Sequence, residues 1–363
     1  MSRNHRKKIL VLRYRFIGDT ILSVPFFRNL RRAEPEAHIT WVMAPGSAEV
    51  VQGIPYVDEI IFWDPVTRHA DSRGGHRTLS SKIAFIRELR ANRYDKVYVL
   101  KRSFSSAIIA LLSGAPERVG FDTEGRRFML TKAVPYRPEQ HEVLSFLDVL
   151  RADGVPVTDD YLEAWISPEE AVRGDGVLAG VGVKLGERVA FIHPFASNPP
   201  RGWHHDDFAA LTHQLTAIGL KSVILGGRGD LVSWESWRHG CHDSTVSLIG
   251  ATSLRETMAI LTRGTIYIGN DSGIMHVAAA VGLPLVALFG PQSPHRFGPW
   301  GRNARVIYKA FPCSPCRQKF FRECDPSPRG KPACMESISG DEVIEEVIRI
   351  SSRTDIAPSH SRA

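Results

Sequence analysis

Along the first 165 residues, polar and apolar positions alternate between short β-branched runs and longer stretches with helical spacing. That pattern predicts βαβ units and a parallel sheet covered by helices. KKILVLRY (7–14) reads as the first strand, and RFIGD follows it as a polar, glycine-containing turn. In TILSVPFFRNLRRAEP, Ile21, Val24, Phe27 and Leu30 share one helical face, and Pro25 is expected to kink that helix or shorten its first turn. AHITWVMAP (37–45), EIIFWD (59–64) and YDKVYVLKR (94–102) supply three more strands. HADSRGGHRTLSS (69–81) is expected as a mobile, exposed loop.

A second alternating series runs through RVAFIHPFA (188–196), KSVILGG (221–227), TIYIGND (265–271) and LPLVALFGP (283–291). Two α/β domains follow: 1–170 and 171–352, joined within ISPEEAVRGDGVLAGVGVKLGE (166–187). The last helical pattern, DEVIEEVIRIS (341–351), leaves 353–363 as an expected disordered tail. In open parallel sheets ligands sit beyond the carboxyl ends of the strands, so two facing domains would hold one in the cleft between them.

Composition narrows the class. The 363 residues, 43% apolar and 23% charged, form a folded chain with more than one core. A net charge of +7 favours anionic partners. The longest apolar stretch, Ile274 to Gly290, is broken by His276, Gly282 and Pro284, and reads as a helix followed by a strand, not a membrane span. Near the N-terminus ILVL is interrupted by Arg13, Arg15 and Asp19, which argues against a secretory signal and for a cytoplasmic, reducing location. There the five cysteines are expected to be thiols or metal ligands.

Candidate chemistry gathers at strand ends. Asp19, in IGDT after the first strand, suits either a helix cap or a general base, and Gly18 beside it permits close approach to the backbone. In YIGNDSGIMHVAAA (267–280), amides of Ser272, Gly273 and Ile274 at a helix N-terminus suit a diphosphate, Asp271 suits hydroxyls, and His276 suits a phosphate or sugar. HPFASNPPRGW (193–203) brings Ser197, Asn198 and Arg201 beside Trp203, which is expected to pack against the arginine stem or a ligand ring. ILGGRGD (224–230) lacks the spacing of a dinucleotide fingerprint, although Asp230 could still bind a ribose hydroxyl. Lys101, Arg102, Arg118, Arg126, Arg127 and Lys132 make the first half locally basic, as an anionic acceptor or membrane headgroups would require. Cys313, Cys316, Cys324 and Cys334 give C-x2-C-x7-C-x9-C, a spacing able to build a structural zinc site.

Several of these segments resemble glycosyltransferase family 9, the lipopolysaccharide heptosyltransferases. ILVLRYRFIGDTILSVPFFRNLRRAEPEAHITWV is similar to the family's opening, LLSGAPERVGFD to its mid-domain stretch and HPFASNPPRGW to its donor-phosphate loop. GNDSGIMHVAAAVGLPLVALFGP is similar to its donor-binding signature, and CSPC, CM and ISGDEV to its C-terminal end. Arg201 stands where the family often has lysine. The resemblance implies a GT-B fold with an acceptor-binding N-terminal and a nucleotide-sugar-binding C-terminal Rossmann-like domain. It also implies an ADP-heptose donor and inverting transfer that requires no metal cofactor. Its motifs make Asp19 the catalytic base, and Ser197, Arg201, Asp271, Ser272, Gly273 and His276 donor contacts. Asn198 and Asp230 join the donor side, and Arg15, Gly18, Lys101 and Arg102 the acceptor side. The expected partners are a lipopolysaccharide core acceptor and the inner face of the inner membrane. Two alternatives stand beside this: another nucleotide sugar or acceptor on the same fold, and a zinc-supported nucleic-acid binder. Against the second, aromatic residues are not interleaved with the basic ones.

Overall fold

The computed structural model describes residues 6–65, 75–316, 324 and 327–351. The expected tail 353–363 and residues 69–74 of the expected loop lie outside the described residues. The chain divides into two compact units, Met1–Trp165 and Ile166–Ala363.

The first unit is built on a parallel sheet of β1 (Lys8–Leu12), β2 (His38–Met43), β3 (Glu59–Phe62), β4 (Lys96–Val99), β5 (Glu117–Phe121) and β6 (Lys132–Val134) in the order β3-β2-β1-β4-β5-β6. The second repeats that topology with β7 (Val189–His193), β8 (Lys221–Ile224), β9 (Val246–Ser247), β10 (Ile266–Asn270), β11 (Leu285–Phe289) and β12 (Ala304–Tyr308), ordered β12-β11-β10-β7-β8-β9. Helices cover both sheets, so the central strands carry continuous apolar runs: Ile9 to Leu12 and Val189 to Ile192 are buried. In each sheet the strand order reverses once, between β1 and β4 and between β7 and β10. Loops diverge at such points and leave a crevice at the strands' carboxyl ends.

Pro25 divides what the sequence reads as one helix. Helix Ile17–Leu22 ends at Ser23, and helix Val24–Ala33 begins with the proline in its first turn, where no amide donor is needed. The stretch from Ile274 to Gly290 forms helix Gly273–Ala280 and then β11. Among the described residues, no helix is long and apolar enough to cross a membrane.

Arg28, fully buried on helix Val24–Ala33, clamps the end of the first unit. Its Nε donates to Asp159 Oδ1 at 2.6 Å, Nη2 donates to the Tyr161 carbonyl at 2.7 Å, and Nη1 lies 3.2 Å from Glu163 Oε1. The guanidinium also stacks on the Tyr161 ring. Burial alone would raise the Asp159 pKa, but hydrogen bonds from Arg28 and Arg32 outweigh it and hold the carboxyl below its ordinary value. That stabilisation is present above the ordinary carboxylate pKa and is lost as pH falls through the depressed value. Arg28→Met should therefore cost about 2–3 kcal/mol, less than a fully buried pair would lose because both carboxylates are about one-fifth exposed. Denaturant unfolding at neutral and acidic pH checks this: the loss should shrink in acid, and a constant loss would assign it to packing alone.

Candidate active site

Each unit places its candidate residues at its reversal point. In the first unit the β1 chain continues through Arg13 and Tyr14, then turns at Arg15 and Phe16, both with positive φ (84° and 66°). For residues with a Cβ this conformation is strained. Phe16 occupies the N-cap of helix Ile17–Leu22, and Asp19 lies inside its first turn. Asp19 is thus not the cap. Its carboxylate forms an ion pair with Arg13, whose side chain is 7% exposed against 19% for Asp19. Trp41 Nε1 donates to the Arg13 carbonyl at 2.9 Å, fixing the loop from below. Arg13 enters the sequence reading only as an interruption of an apolar run, and nothing in its spacing marks it as the partner of Asp19.

Beyond β4, on the other side of the reversal, Lys101 lies with Nζ 5.1 Å from the Tyr14 ring centre. Burial, then the charges of Arg13 and Arg15, push its ammonium down to about 8. Arg102 turns instead to Glu142, whose carboxylate accepts from it at 2.8 Å, and to the Tyr136 hydroxyl. Arg126, wholly buried, donates to the carbonyls of Phe121 (2.8 Å), Lys101 (2.6 Å) and Ser103 (2.9 Å) and so shapes this loop.

The structure scatters the rest of the basic set. Arg118 donates to the Ala115 and Met129 carbonyls near the start of β5, Lys132 pairs with Asp153 at the start of β6, and Arg127 pairs with Asp122. Strands β5 and β6 run parallel to β4, so Arg118 and Lys132 lie at the opposite edge of the sheet from Lys101.

In the second unit the loops after β7 and β10 meet. Arg201 Nη1 is 3.1 Å from Asp271 Oδ2, with the carboxylate 8% exposed. Asn270 holds the two loops in register: its Nδ2 donates to the Pro194 carbonyl at 2.8 Å and its Oδ1 accepts from the Trp203 amide at 3.0 Å. Ser272 is the N-cap of helix Gly273–Ala280, and its half-buried hydroxyl lies 3.5 Å from His193 Nδ1. Burial pushes His193 down to about 4, so its ring is neutral near pH 7. Gly269 is forced by space: a Cβ there would stand 2.6 Å from the Tyr267 hydroxyl and 2.9 Å from the His193 carbonyl. His276 is buried in the helix, Ser197 is exposed and Asn198 is half-buried. Lys331 reaches the same loop, 3.4 Å from the Pro199 carbonyl. Asn270, His193 and Lys331 carry no assignment in the sequence reading, although the first two lie inside motifs quoted there.

One expectation changes. Trp203 does not stack on Arg201 or a ligand; it is fully buried, donates to the Ile338 carbonyl at 3.0 Å and meets Phe208 edge-on. Asp230 closes its own turn by accepting the Gly227 amide at 2.8 Å, and burial raises its pKa. In the 313–334 segment, burial and then the neighbouring Cys324, Cys316 and Cys313 push the Cys334 thiol up to about 11. Among the described residues, no group of three or more His, Cys, Asp or Glu side chains is placed to hold a metal ion.

Two Rossmann-like units, with an arginine-paired aspartate at the reversal point of each, suit transfer from a nucleotide-linked donor. The comparisons agree: the model of glycosyltransferase family 9 (heptosyltransferase) matches residues 82–324, and the chain belongs to that family. It is 31% identical over 321 residues to lipopolysaccharide heptosyltransferase 2 of Salmonella typhimurium, covering 83% of this chain and 87% of that one. Over 312 residues it is 29% identical to lipopolysaccharide heptosyltransferase 2 of Escherichia coli K12, with the same coverage. Among solved structures, the glycosyl transferase family 9 protein from Veillonella parvula superposes with a TM-score of 0.82 at 25% identity, covering 96% of this chain and 98% of that one. E. coli ADP-heptose lps heptosyltransferase II gives 0.76 at 25% identity, covering 96% and 99%. The fold is therefore of the GT-B type and the chain is a glycosyltransferase.

Proposed function

We propose that this glycosyltransferase moves a heptose from ADP-heptose to a lipopolysaccharide core acceptor, with inversion at the anomeric carbon, at the cytoplasmic face of the inner membrane. The observation that carries the reading is the Asp19–Arg13 pair at the β1 reversal point, because it presents a partly exposed carboxylate in a fixed orientation. The printed names of the relatives, which concern heptose transfer to lipopolysaccharide, support the substrate class.

In this mechanism Asp19 accepts the proton of the acceptor hydroxyl as that oxygen attacks the anomeric carbon. Carboxylates are weak bases toward free alcohols, so the transfer is helped mainly as the hydroxyl acidifies during attack. The bond from the anomeric carbon to the diphosphate oxygen breaks as the new glycosidic bond forms, through a transition state with oxocarbenium character. Negative charge then grows on the leaving ADP. Arg201, Lys331 and the first amides of helix Gly273–Ala280 supply positive potential for it, while Asp271 neutralises part of Arg201 and holds it in place. In this reading Arg201, Lys331 and the helix amides take the place of magnesium, with Asp271 on Arg201 and Glu336 near Lys331 as the opposing carboxylates. Ser197, Asn198, Ser272, Gly273 and His276 complete the donor side, Asp230 from a turn of its own. Arg15 and Lys101 meet the anionic acceptor, with Gly18 in the turn beneath it and Arg102 held beside them by Glu142.

Asp19→Ala should lower transfer by about 10²–10⁴-fold while ADP binding, read by calorimetry, stays near wild type. Residual activity above about a tenth would remove the base from Asp19. EDTA should leave wild-type transfer intact, and a loss restored by magnesium overturns the metal-free step. A second test uses Lys101. The acceptor KM should rise as pH passes about 8 and the ammonium loses its proton, and Lys101→Arg should abolish the rise. The same depressed value means that Lys101 costs stability below pH 8, and the cost fades as pH climbs toward 10.5. An acceptor KM that is flat across this range would place the acceptor's charge elsewhere.

A further inference from the structure

Helix Phe104–Leu112 is apolar on two sides. Its inner side, Ala107 and Ala110, is small and buried. Its outer side carries Phe104, Ile108, Leu111 and Leu112 at i, i+4, i+7 and i+8, all exposed. The turn Arg127–Met129 packs beside this helix and adds Phe128, 76% exposed, with its ring 6.3 Å from that of Phe104. The neighbouring helix Leu79–Ala91 adds Leu79 and Ile83, also exposed. A helix that exposes a stripe of large apolar side chains opposite its buried face, beside a further exposed aromatic, marks an interaction site.

The rim is basic. Arg77, Lys82, Arg87, Arg90 and Arg127 are exposed, against the carboxylates of Glu88, Asp122 and Glu124. Arg87 and Arg90 continue the stripe of Leu79 and Ile83, and Arg90 reaches the far end of the apolar helix, where its Cγ would be 3.7 Å from a Cβ at Gly114. The stripe begins three residues after Lys101, and Glu124 fixes that start by accepting the Phe104 amide at 2.6 Å. Apolar side chains bordered by cations match the acyl boundary and anionic headgroups of a lipid bilayer.

We propose that the surface formed by Phe104, Ile108, Leu111, Leu112 and Phe128 with Ile83 inserts at the interface of an anionic membrane and brings the Lys101 loop to an acceptor anchored there. This rests on the acceptor reading above. The test is cosedimentation of the full chain with phosphatidylethanolamine vesicles with and without phosphatidylglycerol, for wild type, Ile108→Ser/Leu111→Ser and Phe128→Ser. Wild type should bind the phosphatidylglycerol vesicles, more weakly at high salt, and each variant should bind about tenfold less or worse. Unchanged melting and ADP binding show that the variants are folded. Wild type that ignores anionic vesicles, or variants that bind as wild type does, overturn the proposal. So does a wild-type dimer that the substitutions dissociate, since the surface then belongs to a second copy. Transfer to a deacylated, soluble acceptor should be the same in all three proteins, and only transfer to the vesicle-borne acceptor should fall in the variants. Failure of wild type on both acceptors would reject the acceptor reading while leaving the vesicle result to stand alone.

Discussion

An arginine held against an aspartate at the carboxyl end of a parallel sheet is the interaction on which the rest of this protein depends. It occurs twice, as Arg13 with Asp19 and as Arg201 with Asp271. In both, the two partners stand at the one point where the strand order reverses, and there the backbone leaves room for a ligand. The roles differ with what surrounds each pair. Asp19 is the more exposed carboxylate, which suits the proposed proton acceptor, whereas the more buried Asp271 suits the proposed aiming of its arginine.

The supporting polar groups are buried and bond mainly to backbone. Arg126 ties two carbonyls of the Lys101 loop to that of Phe121 at the end of β5, and Asn270 bridges the two loops of the second unit. Neither needs to touch a ligand to matter, since a buried donor without its acceptor costs more than the bond itself contributes. Gly269 belongs to the same logic, because the Tyr267 hydroxyl and His193 carbonyl occupy the space a side chain would take.

The central strands were legible because burial on both faces makes them continuous apolar runs. β5, β6, β9 and β12 were not read: they lie toward the sheet margins, two to five residues long, and three of them carry a charged residue. Asp19, Arg201 and Asp271 could be found because polar residues after an apolar strand stand out. Arg13 and Lys331 could not, since the first reads only as a break in an apolar run and the second reaches Pro199 from more than a hundred residues away. The basic character of the first half was visible in composition, but its division between the Lys101 loop and the opposite sheet edge is set by strand direction. Trp203 looked like a ligand platform because its neighbours are polar, and only the packing of the second core shows where it goes.

A single carboxylate acting as base permits one displacement and no covalent sugar intermediate. The anomeric configuration of the product, read by NMR after transfer from ADP-heptose of defined configuration, tests this most directly. Inversion relative to the donor is the predicted result. Retention would contradict it, because attack opposite the leaving diphosphate cannot keep the donor's configuration.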